Sequence, residues 1–394
     1  MACLALATCS ATLASAAVTW HDVQFGGFLS QGYLQSTNNN YPVDTKDGTF
    51  DFREYAVNAS TTFGTHLRVG AQVFGQKLGK YGDDKPILDW AVIDYNFCPE
   101  IGVQVGRLKY PRGLYSDVLD VDMVRPFIFL PQSNYDSRLR DFQASFDGAL
   151  IYGSVSAGKS SFDYKVFYGD IPMKTDSGAA DFFNTSSLFK NPPGVQSIGT
   201  DSVRGAALNW NTPVSGLRIG LNYSYLTNLS VSGPFAQMPS LVTNMNLTKF
   251  EYQGVSAEYT RGPWTFAGEY LLNTIDTLLT LPPALHQPVR SAKAGSRAYY
   301  LSVARRLGTK FEVGTYFCKL TNNYPSVVTA SNINERKDWA VAVRYDFNEH
   351  LLFKLEAHAI SGTKDVFNVP GISNPSSSLS NSMMLFAAKT TLSF

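Results

Sequence analysis

Apolar and polar side chains alternate along most of this chain from residue 23 to its last position. Met384, Phe386, Ala388, Thr390, Leu392 and Phe394 share one parity, and Lys389, Thr391 and Ser393 take the other. Leu351, Phe353, Leu355 and Ala357 oppose Lys354, Glu356 and His358. Trp339, Val341, Val343 and Tyr345 oppose Asp338, Arg344 and Asp346, and Leu217, Ile219, Leu221 and Tyr223 oppose Arg218, Asn222 and Ser224. Leu67, Val69, Ala71 and Val73 oppose Arg68 and Gln72. A period of two is that of a β-strand, whose successive side chains point to opposite faces. Sixteen strands are predicted, over 23–36, 51–63, 66–77, 87–97, 101–107, 142–156, 161–170, 202–212, 217–230, 248–260, 264–277, 297–306, 310–320, 338–347, 351–362 and 382–394.

The connections between them fall into two classes. Short turns occur near 64–65, 98–100, 158–160, 213–216, 261–263, 307–309 and 348–350. Long segments occur near 37–50, 78–86, 108–141, 171–201, 231–247, 278–296, 321–337 and 363–381. Short and long alternate strictly. A soluble sandwich has no reason to sort its loops this way, whereas a barrel crossing an outer membrane has short turns on one side and long loops on the other. In hydrocarbon each unpaired backbone group costs several kcal/mol, so a spanning sheet must close on itself. The expected fold class is therefore all-β, a transmembrane antiparallel up-and-down β-barrel of about sixteen strands. Tyr95, Phe97, Trp264, Phe347 and Phe394 sit at strand ends, where interfacial aromatic girdles form. In 101–107 the apolar parity turns Arg107 outward, which calls for a bulge near Gly106 or a position beyond the hydrocarbon.

Composition narrows the class further. Of 394 residues 44% are hydrophobic, 13% aromatic and only 16% charged, and 33 Lys+Arg face 32 Asp+Glu. The balance gives no basic excess, so no nucleic-acid partner is expected. Residues 1–17 carry no charge and end in small residues, with Ala14-Ser15-Ala16 fitting a cleavage site, so they are expected to be a signal peptide. Residues 18–394 then form one barrel domain. No run of ~20 mostly apolar residues reads as a spanning helix. Cys98 and Cys318 remain after cleavage, with no C-x-x-C motif, and no bond between them is expected because they fall at opposite ends of distant strands.

Residues 108–141 form the longest connection, and their composition is unlike that of a solvated loop. Leu114, Tyr115, Val118, Leu119, Phe127, Ile128, Phe129 and Leu130 need burial, and the barrel interior is the nearest volume. An inward fold is expected, with packing on the outer rim or against a neighbouring subunit as the alternative. By its strand and loop order the chain resembles the Gram-negative outer-membrane porins of the sixteen-stranded kind. Gly106-Arg107, Tyr110-Pro111-Arg112-Gly113-Leu114-Tyr115, Arg125-Pro126 and Leu130-Pro131-Gln132-Ser133 are similar to porins related to the phosphate-selective group. The arginine ladder of the phosphate-selective members is absent. The resemblance implies that 108–141 is the constriction loop, the third external one. It also implies that Phe394 belongs to a C-terminal assembly signal and that the chain forms a homotrimer in the outer membrane.

Polar parity and loop membership supply the candidate pore residues. The constriction candidates are Arg112, Asp117, Asp120, Asp122, Arg125, Arg138 and Arg140, and the wall candidates are Arg68, Lys165, Arg218, Arg344, Lys354, Glu356 and Lys389. The acidic loop residues could face basic wall residues across the lumen and make a transverse field, or form structural pairs; parity alone leaves both open. Gly153–Ser160 matches a phosphate-loop pattern, but an alternating strand follows where that chemistry needs a helix. Asp117, Asp120 and Asp122 lack the glycine of a calcium loop, and the five histidines have no metal-ligand spacing. No G-x-S-x-G occurs. The expectation is a passive channel for small polar or charged solutes, with no cofactor, no metal and no covalent step. The alternatives are a barrel-anchored enzyme and a soluble secreted carbohydrate-binding β-protein.

Overall fold

A computed structural model of the chain describes residues 18–20, 22–184, 188–323, 334–369 and 378–394. The expected signal peptide, 1–17, lies outside the described residues. Sixteen long strands follow in order: β1 (Val23–Ser36), β2 (Phe52–Phe63), β3 (Leu67–Leu78), β4 (Ile87–Cys98), β5 (Ile101–Lys109), β6 (Ser145–Ala157), β7 (Ser160–Asp170) and β8 (Ser202–Asn211). They continue as β9 (Leu217–Phe235), β10 (Met238–Arg261), β11 (Trp264–Thr280), β12 (Arg290–Leu307), β13 (Phe311–Asn323), β14 (Glu335–Asp346), β15 (Leu351–Ser361) and β16 (Ser382–Ser393). Each pairs antiparallel with its sequence neighbours. The ring closes where β16 pairs with β1, from Leu385 opposite Ser36 to Ser393 opposite Phe28.

Two faces follow from this closure. Along β15, Leu352, Lys354, Glu356, His358 and Ile360 are buried, while Leu355 and Ala359 between them are exposed. The exposed set on other strands is apolar: Val57, Ile93, Leu221, Leu301 and Val341 stand open on the outside. An apolar exterior on a closed sheet inverts the arrangement of a water-soluble barrel and matches one that faces lipid. Tyr95, Phe97, Trp264, Phe347 and Phe394 are all exposed, at the end that carries the short turns.

The structure departs from the predicted elements in several places, among them the connection expected over 278–296, where β11 runs to Thr280 and β12 starts at Arg290, paired with Leu279. The segment 231–247 is no loop: β9 and β10 continue through a two-residue turn, with Phe235 opposite Met238 and Leu229 opposite Leu247. Pro234 and Pro239 made it read as a connection. The extension is held because Ser197–Gly199 pairs with Ser230–Ser232 and the loop between β7 and β8 packs Phe189, Val195 and Ile198 on Leu229, Val231 and Leu247. At Arg107 no bulge intervenes: the β5–β6 ladder stays in register through Lys109, and Arg107 faces Asp147 across the strand pair, 3.5 Å apart. An ion pair on the outer face, near the long-loop end, resolves the parity conflict. Finally, a bulge between Gln72 and Val73 leaves Asp89 unpaired in the β3–β4 ladder. Asp89 shares parity with the outward Ile93 and Tyr95, yet the extra residue turns it to the buried face.

At the closing seam, Gly27 N–H donates to the Phe394 carbonyl and Phe394 N–H to the Gly27 carbonyl, both at 3.0 Å. A Cβ on Gly27 would lie 2.5 Å from the Ala56 carbonyl and 2.7 Å from the Phe394 ring. Gly27→Val should therefore cost about 1–3 kcal/mol through overpacking, lowering the melting point of the unheated, fast-migrating band on electrophoresis. Gly199→Val, where nothing lies within 4 Å of the added carbon, should leave it unchanged.

Candidate functional site

The connection between β5 and β6 contains three short 3-10 turns (Ser116–Val118, Asp122–Val124, Ser137–Leu139) and one helical turn, Arg140–Gln143. It touches strands all around the ring. Lys165 on β7 is 2.7 Å from Asp117, and Glu269 on β11 accepts from Leu114 N–H at 3.1 Å. Arg336 and Arg344 on β14 donate to the carbonyls of Gln132 (3.0 Å) and Met123 (2.6 Å). Glu356 on β15 accepts from Ile128 and Phe129 N–H at 2.5 and 3.2 Å, and Lys389 on β16 is 2.7 Å from Asp122. A single segment reaches opposite sides of a closed ring only from within it.

Two ionic clusters fasten the segment. In the first, the Asp122 carboxylate lies 2.7 Å from Lys389, 3.5 Å from Lys354 and 3.5 Å from Arg125, and accepts from the Thr391 hydroxyl at 2.8 Å. Lys354 also donates to the carbonyls of Asp122 (2.8 Å) and Phe127 (3.0 Å). Burial would raise the Asp122 pKa, but Lys354, Lys389 and Arg125 outweigh it and hold the carboxyl far below the usual carboxylate range. In the second, Arg140 bridges Asp89 (2.7 Å) and Asp120 (2.6 Å), with Lys109 at 2.7 and 3.2 Å from the same two groups. Here too burial opposes ionisation, and Arg140 with Lys109 overrides it to depress Asp120. The Arg140 guanidinium covers the Phe74 ring, 3.6 Å from its centroid.

Apolar contacts complete the docking. Phe127 meets Tyr316 edge-on at 5.0 Å and Phe129 stacks on Phe52 at 5.2 Å. Pro126 and Phe127 lie against Gly314, where a side chain would meet them at about 3 Å. Glu356, which caps Ile128 and Phe129, is itself 2.8 Å from His358, whose other ring nitrogen is 3.0 Å from Asp338.

The sequence-derived candidates thus separate by environment. Asp120, Asp122, Arg125, Arg140, Arg344, Lys354, Glu356 and Lys389 are buried in these contacts. Arg125 donates to the carbonyl of Leu119 at 2.8 Å as well as facing Asp122. Arg138 pairs with Asp136 and Asp365 near the long-loop end. Asp117 and Lys165 face each other with substantial exposure, as do Arg218 and Glu258, 3.3 Å apart. Arg68 is 4.0 Å from Asp94. Arg112 is buried over the Tyr252 ring, 4.3 Å from its centroid. The candidates did not include Asp89 or Arg336. Alternation placed Asp89 outside, and Arg336 lay ahead of the predicted start of its strand; neither carried a signal that periodicity could read.

Above the docked segment, the loops at the long end enclose a cavity of about 1060 Å³. Among the described residues no group of His, Cys, Asp and Glu could hold a metal ion. Gly153–Ser160 forms the end of β6, a turn at Gly158 and the start of β7, with no helix following.

No protein-family model matches the sequence, and no curated protein does. Solved structures do match in fold. OmpT, an outer membrane protein of Vibrio cholerae, superposes with a TM-score of 0.59 at 13% identity, covering 96% of this chain and 99% of that one, and was also solved in a trimer form. OmpF of Salmonella typhi, in complex with daunomycin, gives 0.58 at 12% identity over 95% and 99% of the two chains. An anion-selective porin of Comamonas acidovorans gives 0.54 at 11% identity over 94% and 99%. The chain has the fold of the sixteen-stranded outer-membrane porins.

The clusters set two expectations. Asp122→Asn would leave Lys354 and Lys389 buried against a neutral partner, a change worth about 3–5 kcal/mol. The loop should then become cleavable by protease within 108–141 while the ring stays folded. Asp120 and Asp122 are depressed in the folded state, so their contribution is present above the unfolded carboxylate pKa of ~3.9 and is lost as pH falls below it. Protection of the loop from an acid-active protease should be constant from pH 7 to 5 and decline below about pH 4.

Proposed function

We propose that this protein is a passive diffusion channel in the outer membrane of a Gram-negative bacterium, admitting small polar or charged solutes. The observation that carries this reading is a closed ring with an apolar exterior whose lumen is crossed by a loop fastened from within. Such a lumen is narrowed, and a narrowed polar lumen sieves by size and by the charges at its edge. No covalent step and no cofactor enter the reading. The chain is exported by its segment 1–17 and assembles as a trimer, the form in which OmpT has also been solved.

Among the candidates, solute contact falls to the charges that remain open to water. The buried carboxylates and their partners hold the loop. Lys165 and Asp117 stand across the gap between wall and loop at 2.7 Å, one third and nearly one half exposed. Arg218 with Glu258, and Arg68 with Asp94, line the wall toward the short-turn end. These pairs carry both signs, so ion preference follows from which member projects further into the stream.

Reconstituted into a planar bilayer, the protein should give stepwise ohmic currents, with triplet steps if trimers insert; silence from folded protein would overturn the reading. Lys165→Gln should shift the reversal potential in a salt gradient toward cation preference, and Asp117→Asn toward anion preference. Each should change the permeability ratio about two- to fivefold, because a unit charge at close range in wet surroundings is worth ~1 kcal/mol.

A further inference from the structure

The outside of the ring is not uniformly charged toward the long-loop end. β1 contains no charged residue, and the charges of β15 and β16 are all buried on the inward face. Arg53, Lys77, Arg107 and Lys249 each face a carboxylate of their own, in Asp84, Asp83, Asp147 and Glu251. The strands β12, β13 and β14 differ. Arg297 shares the parity of exposed Leu301, and Lys337 that of exposed Trp339 and Val341. Lys319 alternates with buried Cys318 and so points the same way. Glu335 is the one acid among them, 2.9 Å from Lys319 and 3.0 Å from Lys337.

These cations converge. Lys319 and Lys337 stand directly opposite in the β13–β14 ladder, and both ammonium groups reach the one carboxylate. Arg297 is opposite Thr321, a diagonal step from Lys319 on the same face. Diagonal neighbours lie ~7–8 Å apart, within reach of long side chains. Arg297 faces no carboxylate among the described residues, and the connection 324–333 contains no acidic residue. Three cations thus share one acid. Their height follows from the same ladder, which runs from Phe311 opposite Tyr345 at the short-turn end to Lys319 opposite Lys337. That span matches the ~9–11 residues by which a tilted strand crosses hydrocarbon. The cations therefore lie at the outer edge of the hydrocarbon. Next below them Phe317 packs on Tyr299 at 6.1 Å and on Trp339 at 4.8 Å, and below these Leu301 and Val341 stand exposed.

A cationic row above an aromatic band above an apolar wall matches the profile of one molecule, a lipid with an anionic head. A neutral lipid would leave the cations without a counter-charge. A free anion would leave the wall unused. A second copy of this chain, docked by its uncharged β15–β16–β1 side, would bring no acid to the row. We infer that the outward face of β12–β14 is a binding site for a phosphorylated lipid of the outer leaflet. Arg297, Lys319 and Lys337 receive the phosphate, Tyr299 and Trp339 flank the head, and Leu301 and Val341 receive the chains. The lysine stems lie along apolar surface with their ammonium groups raised to the interface. Glu335 gathers the two lysines and leaves a unit of positive charge between them, while the planar fork of Arg297 suits a phosphate directly. The site requires the barrel to lie in a membrane and does not require it to conduct.

The test reads tryptophan fluorescence of the full chain reconstituted in phosphatidylcholine bilayers. Brominated phosphatidic acid, whose phosphate is bare, and brominated phosphatidylcholine, whose phosphate is capped by choline, serve as contact quenchers at equal mole fraction. The contribution of Trp339 is the difference between wild-type and Trp339→Phe protein. Phosphatidic acid should associate there roughly fivefold more strongly, the effect of one basic side chain at a membrane surface. Arg297→Gln, and Lys319→Gln with Lys337→Gln, should each reduce this excess at least twofold in protein that retains the unheated fast-migrating band. Equal quenching by the two lipids overturns the inference. So does an excess that persists in Trp339→Phe, or one unchanged in folded Arg297→Gln. Displacement of the excess by inorganic phosphate would show that the row holds a free anion, and also overturns it. If neither lipid quenches Trp339, a neighbouring chain covers the face and the inference falls. The comparison of the two lipids on wild-type protein decides even where a variant does not fold.

Discussion

The pairing of β16 with β1 is the constraint on which the rest of the molecule depends. Without it the strands would be an open sheet with two long edges, each presenting a row of unpaired backbone groups. With it, every long strand has two neighbours, and the surface divides into an outside and an inside that share no boundary except at the two rims. The outside can then be wholly apolar. The inside becomes a volume that must be filled by water or by chain, and the segment between β5 and β6 fills part of it. The seam is made by small features, notably a glycine at position 27 that lets the Phe394 ring lie against the backbone where the ring closes.

Much of this was legible in the chain because a strand in such a ring is read twice, once by lipid and once by the lumen. Leu351–Ala357 against Lys354–His358 is as clear in sequence as in structure, since both faces exert selection on the same residues. Legibility failed where the two-residue period was interrupted or where chain left the membrane. The single extra residue at Asp89 reversed its face, and alternation carries no mark of a bulge. The β9–β10 hairpin rises beyond the level where lipid demands apolar residues, so its prolines and asparagines read as loop while its ladder continues. What holds it is tertiary: the β7–β8 connection packs against it.

The site was legible to a lesser degree, for a different reason. Residue type and position identified which charges belong to the interior, but pairing decides what an interior charge does. Asp117, Asp120 and Asp122 fall within six consecutive positions and have the same side chain. In the structure the first stands in the open beside Lys165, the second is closed between Arg140 and Lys109, and the third sits among Lys354, Lys389 and Arg125. Asp117 and Asp122 take partners 48 and up to 269 positions away, while Asp120 takes partners 11 and 20 positions away, and no pattern around the three aspartates tells which will be which.

Burying so many charges is an unusual way to dock a loop, since an apolar interface of equal size would avoid the desolvation cost. The arrangement makes sense if the lumen must stay wet. A loop held only by apolar contacts would need a greasy wall, and a greasy wall on a narrow passage expels water and closes it to polar solutes. Ionic clusters allow a polar wall to hold the loop in one register, beside hydrophobic anchors at Tyr110, Phe127–Leu130 and Tyr135. The Asp89–Asp120–Lys109–Arg140 cluster is balanced, two carboxylates against two cations, whereas Asp122 meets three cations, of which Glu54 on Lys389 offsets one. Under the proposed channel reading, the first cluster fixes the loop without adding net charge to the lumen, and the second leaves a positive one.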